Sequence, residues 1–118
     1  MPNYAVLCHD SPRGLHWDLL LEVGDALWTW ALPEPPRAGV EMTCEPLPDH
    51  RLAYLNYQGP VAGNRGTVTR WDRGTYRVRR QSATELVVEL NGEKLNGRAA
   101  LEQSPDEPDQ WRFSFAAD

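Results

Sequence analysis

Polar and apolar residues alternate along short segments of the chain, and turn-forming residues separate these segments. In Leu15–Val23, the alternation of an extended strand places His16 and Asp18 on one face, and Trp17 with the odd-numbered leucines on the other. The same pattern predicts further strands at Tyr4–Cys8, Leu27–Ala31, Thr67–Trp71, Thr75–Arg79, Glu85–Leu90, Arg98–Glu102 and Trp111–Phe115. About eight short strands predict a mainly all-β domain, folded as a small antiparallel β-barrel or sandwich.

Turn-forming residues connect these predicted strands. The motif Ser11–Gly14 is predicted to fold the first strand back beside the second, and the acidic run Ser104–Gln110 to form a solvated connection between the last two strands. Tight hairpin turns are predicted at Val23–Ala26, Asp72–Gly74, Asn91–Gly92 and Asn96–Gly97. Short connections of this kind are typical of antiparallel sheets.

The middle of the chain lacks the pattern that predicts strands. The region Pro33–Pro48 contains five prolines, so it is predicted to be a long ordered loop. The following residues Asp49–Tyr57 give the one plausible short helix, in which Asp49 caps the first turn. His50 and Tyr54 would then share a face of that helix, one turn apart.

Size and composition restrict the class of protein. A chain of 118 residues is predicted to form a single domain over 1–118 with one modest core. No apolar run approaches membrane-spanning length and no secretion signal is recognisable, so we expect a cytoplasmic protein without membrane contact. Cys8 and Cys44 lack CxxC spacing and are interpreted as free thiols. We expect the protein to be a monomer.

Charge is distributed unevenly. The net charge of −5 argues against bulk electrostatic coating of DNA. One segment nevertheless contains six arginines: Arg65, Arg70, Arg73, Arg77, Arg79 and Arg80. Trp71 and Tyr76 are interleaved with them, and arginines that grip phosphates beside aromatics that stack on bases can hold a nucleic-acid strand. The competing interpretation is compositional, because Lys94 is the one lysine beside eleven arginines, so any exposed strand would carry arginine.

The N-terminal hairpin concentrates groups that bind metals. His9, His16 and Asp18 include two of the three histidines in the chain, and the predicted turn brings them together. Imidazole with carboxylate suits Mn²⁺, Zn²⁺ or Fe²⁺ better than Ca²⁺, and such an ion assists phosphoester hydrolysis. His50 is then a candidate general acid toward a phosphate oxygen, with Tyr54 as a second donor. Each histidine, taken alone, also fits a purely structural role.

Several motifs resemble the 3′-phosphoesterase domain of bacterial DNA ligase D. They follow the family's order from about Val6 to Leu101, and two of them, WDRGT and GEKLxGR, are specific when they accompany the histidine motif. The motifs are His9-Asp10, Arg13-Gly14-Leu15-His16-Trp17-Asp18, Leu21-Glu22, Trp30-Ala31-Leu32-Pro33, Asp49-His50, Gly66-Thr67-Val68, Trp71-Asp72-Arg73-Gly74-Thr75-Tyr76 and Leu90-Asn91-Gly92-Glu93-Lys94-Leu95-Asn96-Gly97-Arg98.

The resemblance implies a small β-barrel that trims the 3′ ends of DNA or RNA during repair. It implies removal of a terminal ribonucleoside followed by removal of a 3′-phosphate. It also implies that His9, His16 and Asp18 hold manganese, and that His50 and Tyr54 lie near the phosphate. A separately encoded ligase or polymerase is the expected protein partner.

Four positions depart from the family's pattern. Leu20 stands where the family has an arginine that binds phosphate, Glu34 stands where it has a lysine, and Pro48 stands where it has an acidic residue. Gly14 is an additional residue between Arg13 and Leu15. Loss of a charge-assisted contact at Leu20 is worth roughly 1.5 to 3 kcal/mol. The metal ligands are unaffected, so weakened catalysis with intact metal binding is expected. Arg13 and Arg65 are the candidate replacement contacts, and Arg70 and Arg73 are candidate nucleic-acid contacts.

Two alternatives remain open from the sequence. In the first, the domain is a catalytically silent module that binds nucleic-acid ends or a repair partner. In the second, His16, Asp18 and the distant His50 form the two-histidine, one-carboxylate site of a non-haem iron oxygenase.

Overall fold

The structure is a computed structural model that describes residues 1–118, and it consists almost entirely of antiparallel strands. The elements are β1 (Asn3–Ser11), β2 (Gly14–Val23), β3 (Ala26–Leu32), β4 (Glu41–Arg51), a 3₁₀ helix (Leu52–Asn56), β5 (Gly59–Pro60), β6 (Thr67–Gln81), β7 (Glu85–Gly92), β8 (Asn96–Gln103) and β9 (Trp111–Ala117). The single helical segment is five residues long, far too short to cross a bilayer.

The strands form a closed ring. Their order is β1-β2-β3-β4-β9-β8-β7-β6, and β6 pairs again with β1, while the two-residue β5 adds to β6. Every pair is antiparallel, so the prediction of a mainly antiparallel all-β fold with about eight strands is confirmed.

The main core fills the inside of this ring. It contains 17 buried residues, among them Tyr4 and Val6 of β1 and Leu19 and Leu21 of β2. Trp17 packs against the same core, so the odd-numbered side chains of β2 face inward as predicted.

A second, smaller core lies on the opposite face of β1, β2, β3 and β6. We call this the satellite cluster, and its buried members are Ala5, Leu7, Leu20, Leu27 and Val68. The 3₁₀ helix and the residues that follow it cover the cluster with partly buried apolar side chains: Leu52, Tyr54, Leu55, Tyr57 and Val61. The even-numbered residues of β2 therefore face this outer surface.

The proline-rich region corrects two predictions. The loop predicted over Pro33–Pro48 ends at residue 40, and Glu41–Arg51 is a strand. Pro46 is tolerated in β4 because the register with β9 stops at Cys44, which leaves β4 with β3 as its one neighbour at that point. The helix predicted over Asp49–Tyr57 is a 3₁₀ helix that begins at Leu52, after an extended Arg51. Asp49 lies within β4, and no side chain caps the helix.

The hairpin predictions are confirmed in part. The turns at Ser11–Gly14 and Val23–Ala26 and the connection Ser104–Gln110 lie where they were predicted. Asp72–Gly74 is not a turn, because β6 runs unbroken through it. Asn96–Gly97 belongs to β8, and a single connection after Gly92 joins β7 to β8.

A buried carboxylate explains why the run around Asp72 stays extended. Asp72 is 1 % exposed and accepts three hydrogen bonds. The donors are the N–H of Lys94 (2.8 Å), the N–H of Leu95 (3.1 Å) and the hydroxyl of Tyr4 (2.7 Å). Gly92 is required beside them, because a Cβ there would lie 1.8 Å from the Tyr4 hydroxyl oxygen. Asp72 therefore ties the β7–β8 turn to β6 and β1.

Neighbouring side chains reinforce this connection. The Lys94 ammonium lies 4.5 Å from the centre of the Trp71 ring, and Arg73 pairs with Glu93 at 3.5 Å. The N–H of Glu93 also donates to the Arg73 carbonyl (3.0 Å). The two sequence runs WDRGT and GEKLxGR thus contact each other, and their role here is to hold the ring together.

Candidate metal centre and its cavity

The candidate centre lies at the end of the β1–β2 hairpin. A two-residue turn joins the strands, and the Ser11 hydroxyl stabilises it by donating to the Gly14 carbonyl (2.8 Å) and accepting from the Arg13 N–H (3.2 Å). The resulting register sets His9 directly opposite His16. Side chains of directly opposed residues lie on the same face, so both imidazoles project beside the satellite cluster.

Three potential ligand atoms converge at this position. His9 Nδ1 lies 3.1 Å from His16 Nε2 and 3.5 Å from Asp18 Oδ2, and His16 Nε2 lies 3.0 Å from Asp18 Oδ1. All three ligand atoms fall within 4.8 Å of one another. The arrangement that the sequence predicts for His9, His16 and Asp18 is therefore present in the fold.

The chemistry of the carboxylate fits a divalent cation. Asp18 is 2 % exposed, and its Oδ1 is buried without a hydrogen-bond partner, since the short contact to His16 lacks hydrogen-bond geometry. A buried carboxylate oxygen without a partner is costly, and a bound cation removes that cost. Two imidazoles with one carboxylate are the donor set of manganese, zinc and iron sites.

The surrounding backbone fixes the orientation of the His9 ring. Its Nε2–H donates to the Arg65 carbonyl at 2.7 Å, which leaves the lone pair of Nδ1 directed toward His16 and Asp18. The next residue, Gly66, has a φ of +90°, and a Cβ there would lie 1.9 Å from the Asp10 carbonyl oxygen. Glycine at this position therefore allows the approach that places the Arg65 carbonyl.

The electrostatics of His16 reflect its acidic neighbours. The adjacent Asp18 carboxylate raises the pKa of His16, partial burial opposes the increase, and the charges of Asp18 and Glu45 add to it. The His16 imidazole thus lies in a negative environment, which also favours a bound cation.

The three residues lie in the wall of a cavity of about 920 Å³. Other polar groups line the same space: Arg13, Arg65, His50, Glu45 and Asp109. The cavity is open to solvent, so it offers room for a polymer end beside the candidate metal residues.

His50 reaches this cavity from β4. Its Nδ1–H donates to the Pro48 carbonyl (3.0 Å), which leaves Nε2 free, and its ring lies edge-on to Tyr54 at 5.8 Å. Tyr54 packs against the satellite cluster and next to Tyr57. His50 does not belong to the group of converging ligand atoms, so the structure does not bring together the oxygenase-like set with His16 and Asp18.

The predicted arginine contacts separate into two groups. Arg13 and Arg65 line the cavity, and neither forms an ion pair. Arg70 does not line the cavity, and its backbone N–H donates to the Gln58 side-chain oxygen. Arg73 pairs with Glu93 and lines a different cavity of about 480 Å³. The structure thus places two of the four arginines in the same cavity as His9, His16 and Asp18.

The departures from the family's pattern occupy distinct environments. Leu20 is fully buried in the satellite cluster and does not line the cavity. Glu34 is exposed in the loop after β3 and pairs with Arg37 at 3.3 Å. Pro48 is exposed in β4, and its carbonyl accepts from His50. None of the three places a charged side chain against the converging ligands.

Glu45 and Asp109 are residues that the sequence interpretation missed. Glu45 lies opposite Ala31, which lies opposite Asp18, so the register puts both carboxylates on one face. This register cannot be predicted from the sequence when Pro33–Pro48 is assigned to a loop. Asp109 comes from the β8–β9 connection, and no local pattern indicates that this connection reaches the cavity.

Comparisons with known proteins identify relatives of this chain. A family model described as the DNA Ligase D 3′-phosphoesterase domain matches residues 8–103. A multifunctional non-homologous end joining DNA repair protein LigD from Mycobacterium tuberculosis is 31 % identical over 108 residues, and the match covers 84 % of this chain and 14 % of that protein. A multifunctional non-homologous end joining protein LigD from Pseudomonas aeruginosa is 34 % identical over 106 residues, covering 81 % of this chain and 12 % of that protein. The chain thus spans a small part of the length of these relatives.

Proposed function

Because the chain belongs to the DNA ligase D 3′-phosphoesterase domain family, we propose that it is a metal-dependent phosphoesterase that heals the 3′ ends of DNA or RNA. The proposed substrates are ends that carry a 3′-terminal ribonucleoside or a 3′-phosphate. The proposed metal is Mn²⁺, with Zn²⁺ or another transition metal as a substitute. The proposed protein partner is a separately encoded polymerase or ligase, which would extend or join the healed end.

One observation carries this proposal. The ligand atoms of His9, His16 and Asp18 converge within 4.8 Å, and they do so in the wall of an open cavity that is also lined by two arginines without an acidic partner. Imidazole and carboxylate ligands beside guanidinium groups combine the two requirements of phosphoester hydrolysis, which are a Lewis acid and a grip on the phosphate.

The residues of the chain supply the remaining functions. When bound, a divalent metal lowers the pKa of water and stabilises charge on the phosphate. Arg13 and Arg65 bind the non-bridging phosphate oxygens and orient the end. His50 presents Nε2 to the cavity, because Nδ1 is held by the Pro48 carbonyl, and in its protonated form it donates to a phosphate oxygen. Tyr54 positions the His50 ring by edge-on packing.

The direct test uses primer–template duplexes whose recessed end carries a ribonucleoside or a phosphate. We expect purified protein with Mn²⁺ to release the terminal group from at least one of these ends, and expect excess chelator to stop the release. Gel or mass analysis of the products measures the reaction. Absence of trimming at high protein concentration, with the fold intact by circular dichroism, would contradict the enzymatic proposal.

The arginines of the cavity provide a second prediction. Arg13→Ala and Arg65→Ala should each lower kcat/KM for end trimming by about ten- to a hundredfold, because each removes a charge-assisted contact worth about 1.5 to 3 kcal/mol. Arg37→Ala is the matched control, since Arg37 is exposed and pairs with Glu34 outside the cavity. Equal kcat/KM for Arg13→Ala, Arg65→Ala and the control would show that neither arginine contacts the substrate.

A second candidate function is a catalytically silent module that binds nucleic-acid ends. Leu20 favours it, because this buried leucine stands where the family's pattern has a phosphate-gripping arginine. This candidate requires that DNA binding persist when chelator removes the metal and that no end be trimmed. Fluorescence anisotropy with and without chelator distinguishes it from the enzyme.

A further inference from the structure

Two acidic side chains share the cavity with the metal residues. Glu45 lies two strands away from Asp18 on the same face, which corresponds to about 10 Å between their backbones. Asp109 reaches the cavity from the β8–β9 connection. Both side chains are exposed and neither forms an ion pair, so their charges remain available to a ligand in the cavity, screened by solvent.

The position of Asp109 is held by its connection. The N–H of Ser104 donates to the Gln110 carbonyl (2.8 Å), and the N–H of Gln110 donates to the Glu107 carbonyl (2.9 Å). The side chain of Gln103 donates to the Pro108 carbonyl (2.9 Å). These hydrogen bonds hold the β8–β9 connection together. Asp109 therefore lines the cavity from an ordered loop.

The residues that line the cavity therefore carry little positive charge for a site that binds phosphate. Two arginines, Arg13 and Arg65, face three carboxylates, those of Asp18, Glu45 and Asp109. A bound divalent cation offsets Asp18 together with one further negative charge. A phosphomonoester carries nearly two negative charges at neutral pH, because its second pKa is about 6, whereas a phosphodiester carries one. Each additional carboxylate therefore penalises the monoester more than the diester.

We propose that Glu45 and Asp109 make this cavity selective for phosphodiester ends, such as a 3′-terminal ribonucleoside, over 3′-phosphomonoester ends. The proposal rests on the end-healing function above and specifies its substrate class. It assigns Glu45 and Asp109 a role in specificity without contact to the reacting atoms. The expected preference comes from repulsion of the second phosphate charge, so it should weaken with rising salt concentration.

The test measures binding as well as hydrolysis. Fluorescent duplexes ending in a 3′-ribonucleoside or a 3′-phosphate are titrated in chelator with wild type, Glu45→Gln, Asp109→Asn and the double variant. We expect wild type to bind the ribonucleoside end at least as tightly as the phosphate end. Each single variant should improve the affinity for the phosphate end by about three- to tenfold relative to the ribonucleoside end. Glu41→Gln and Glu107→Gln, on the same strand and connection but outside the cavity lining, are matched controls.

The outcomes separate this proposal from the proposed function. A wild type that binds the phosphate end several-fold tighter, or a double variant with an unchanged ratio of affinities, would overturn the assignment. With Mn²⁺, the double variant should also shift the ratio of hydrolysis rates toward the phosphate end. A preserved binding preference without hydrolysis of either end would refute the enzyme and support the specificity role.

Discussion

Replacing Asp18 by asparagine should abolish Mn²⁺ binding and slow metal-dependent end trimming by about a thousandfold. The substitution keeps the shape of the side chain but removes the charge of the one carboxylate among the converging ligands. A metal contributes several kcal/mol to phosphoester hydrolysis, and about 4 kcal/mol corresponds to roughly a thousandfold in rate. Calorimetric titration with Mn²⁺ and end-trimming kinetics measure the two effects.

The fold itself should survive this change. Asp18 is buried beside two imidazoles, 3.5 Å from His9 and 3.0 Å from His16, and asparagine keeps its shape while removing the cost of burying its charge. Asp10→Asn, on the same hairpin but exposed and outside the cavity lining, is the matched control and should bind Mn²⁺ like wild type. Wild-type affinity for Mn²⁺ in Asp18→Asn would contradict the assignment of the ligands.

Replacing Asp72 by alanine should lower the free energy of unfolding by about 3 to 5 kcal/mol. The carboxylate accepts hydrogen bonds from Lys94, Leu95 and Tyr4, and its loss leaves the two backbone N–H groups without an acceptor and the Tyr4 hydroxyl with only its longer bond to the Leu95 carbonyl. For a domain of this size, the midpoint of thermal unfolding should fall by roughly 10 to 20 °C.

Two further variants sharpen this prediction. Asp72→Asn retains one acceptor oxygen and should lose less stability than Asp72→Ala. Asp25→Ala changes an exposed acid in the β2–β3 turn and should shift the unfolding midpoint very little. Similar midpoints for Asp72→Ala and Asp25→Ala would show that the buried carboxylate does not hold β6 to the β7–β8 connection.

Local alternation was sufficient to predict the N-terminal hairpin and the convergence of His9, His16 and Asp18. The period of two in β2 assigns His16 and Asp18 to one face, and the turn at Ser11–Gly14 fixes how β1 returns beside it. Both signals lie within about 15 consecutive residues, so no distant contact is needed to interpret them. The antiparallel all-β class follows from the same reasoning applied to the later strands.

Features set by distant contacts could not be predicted in the same way. Pro46 looks incompatible with a strand until the end of the β4–β9 pairing is known. The sequence Asp72-Arg73-Gly74 has the composition of a turn, but hydrogen bonds from residues more than twenty positions away keep it extended. Glu45 and Asp109 enter the cavity only through strand register and the path of a connection. Each of these depends on pairings between segments that are remote in the sequence.

The convergence of His9, His16 and Asp18 on one cation is the central claim, and anomalous diffraction tests it most directly. A crystal grown with Mn²⁺, measured on both sides of the manganese absorption edge, should show one strong peak bonded to His9 Nδ1, His16 Nε2 and the Asp18 carboxylate. A peak bonded to other residues, or no peak among these three side chains at saturating Mn²⁺, would contradict it.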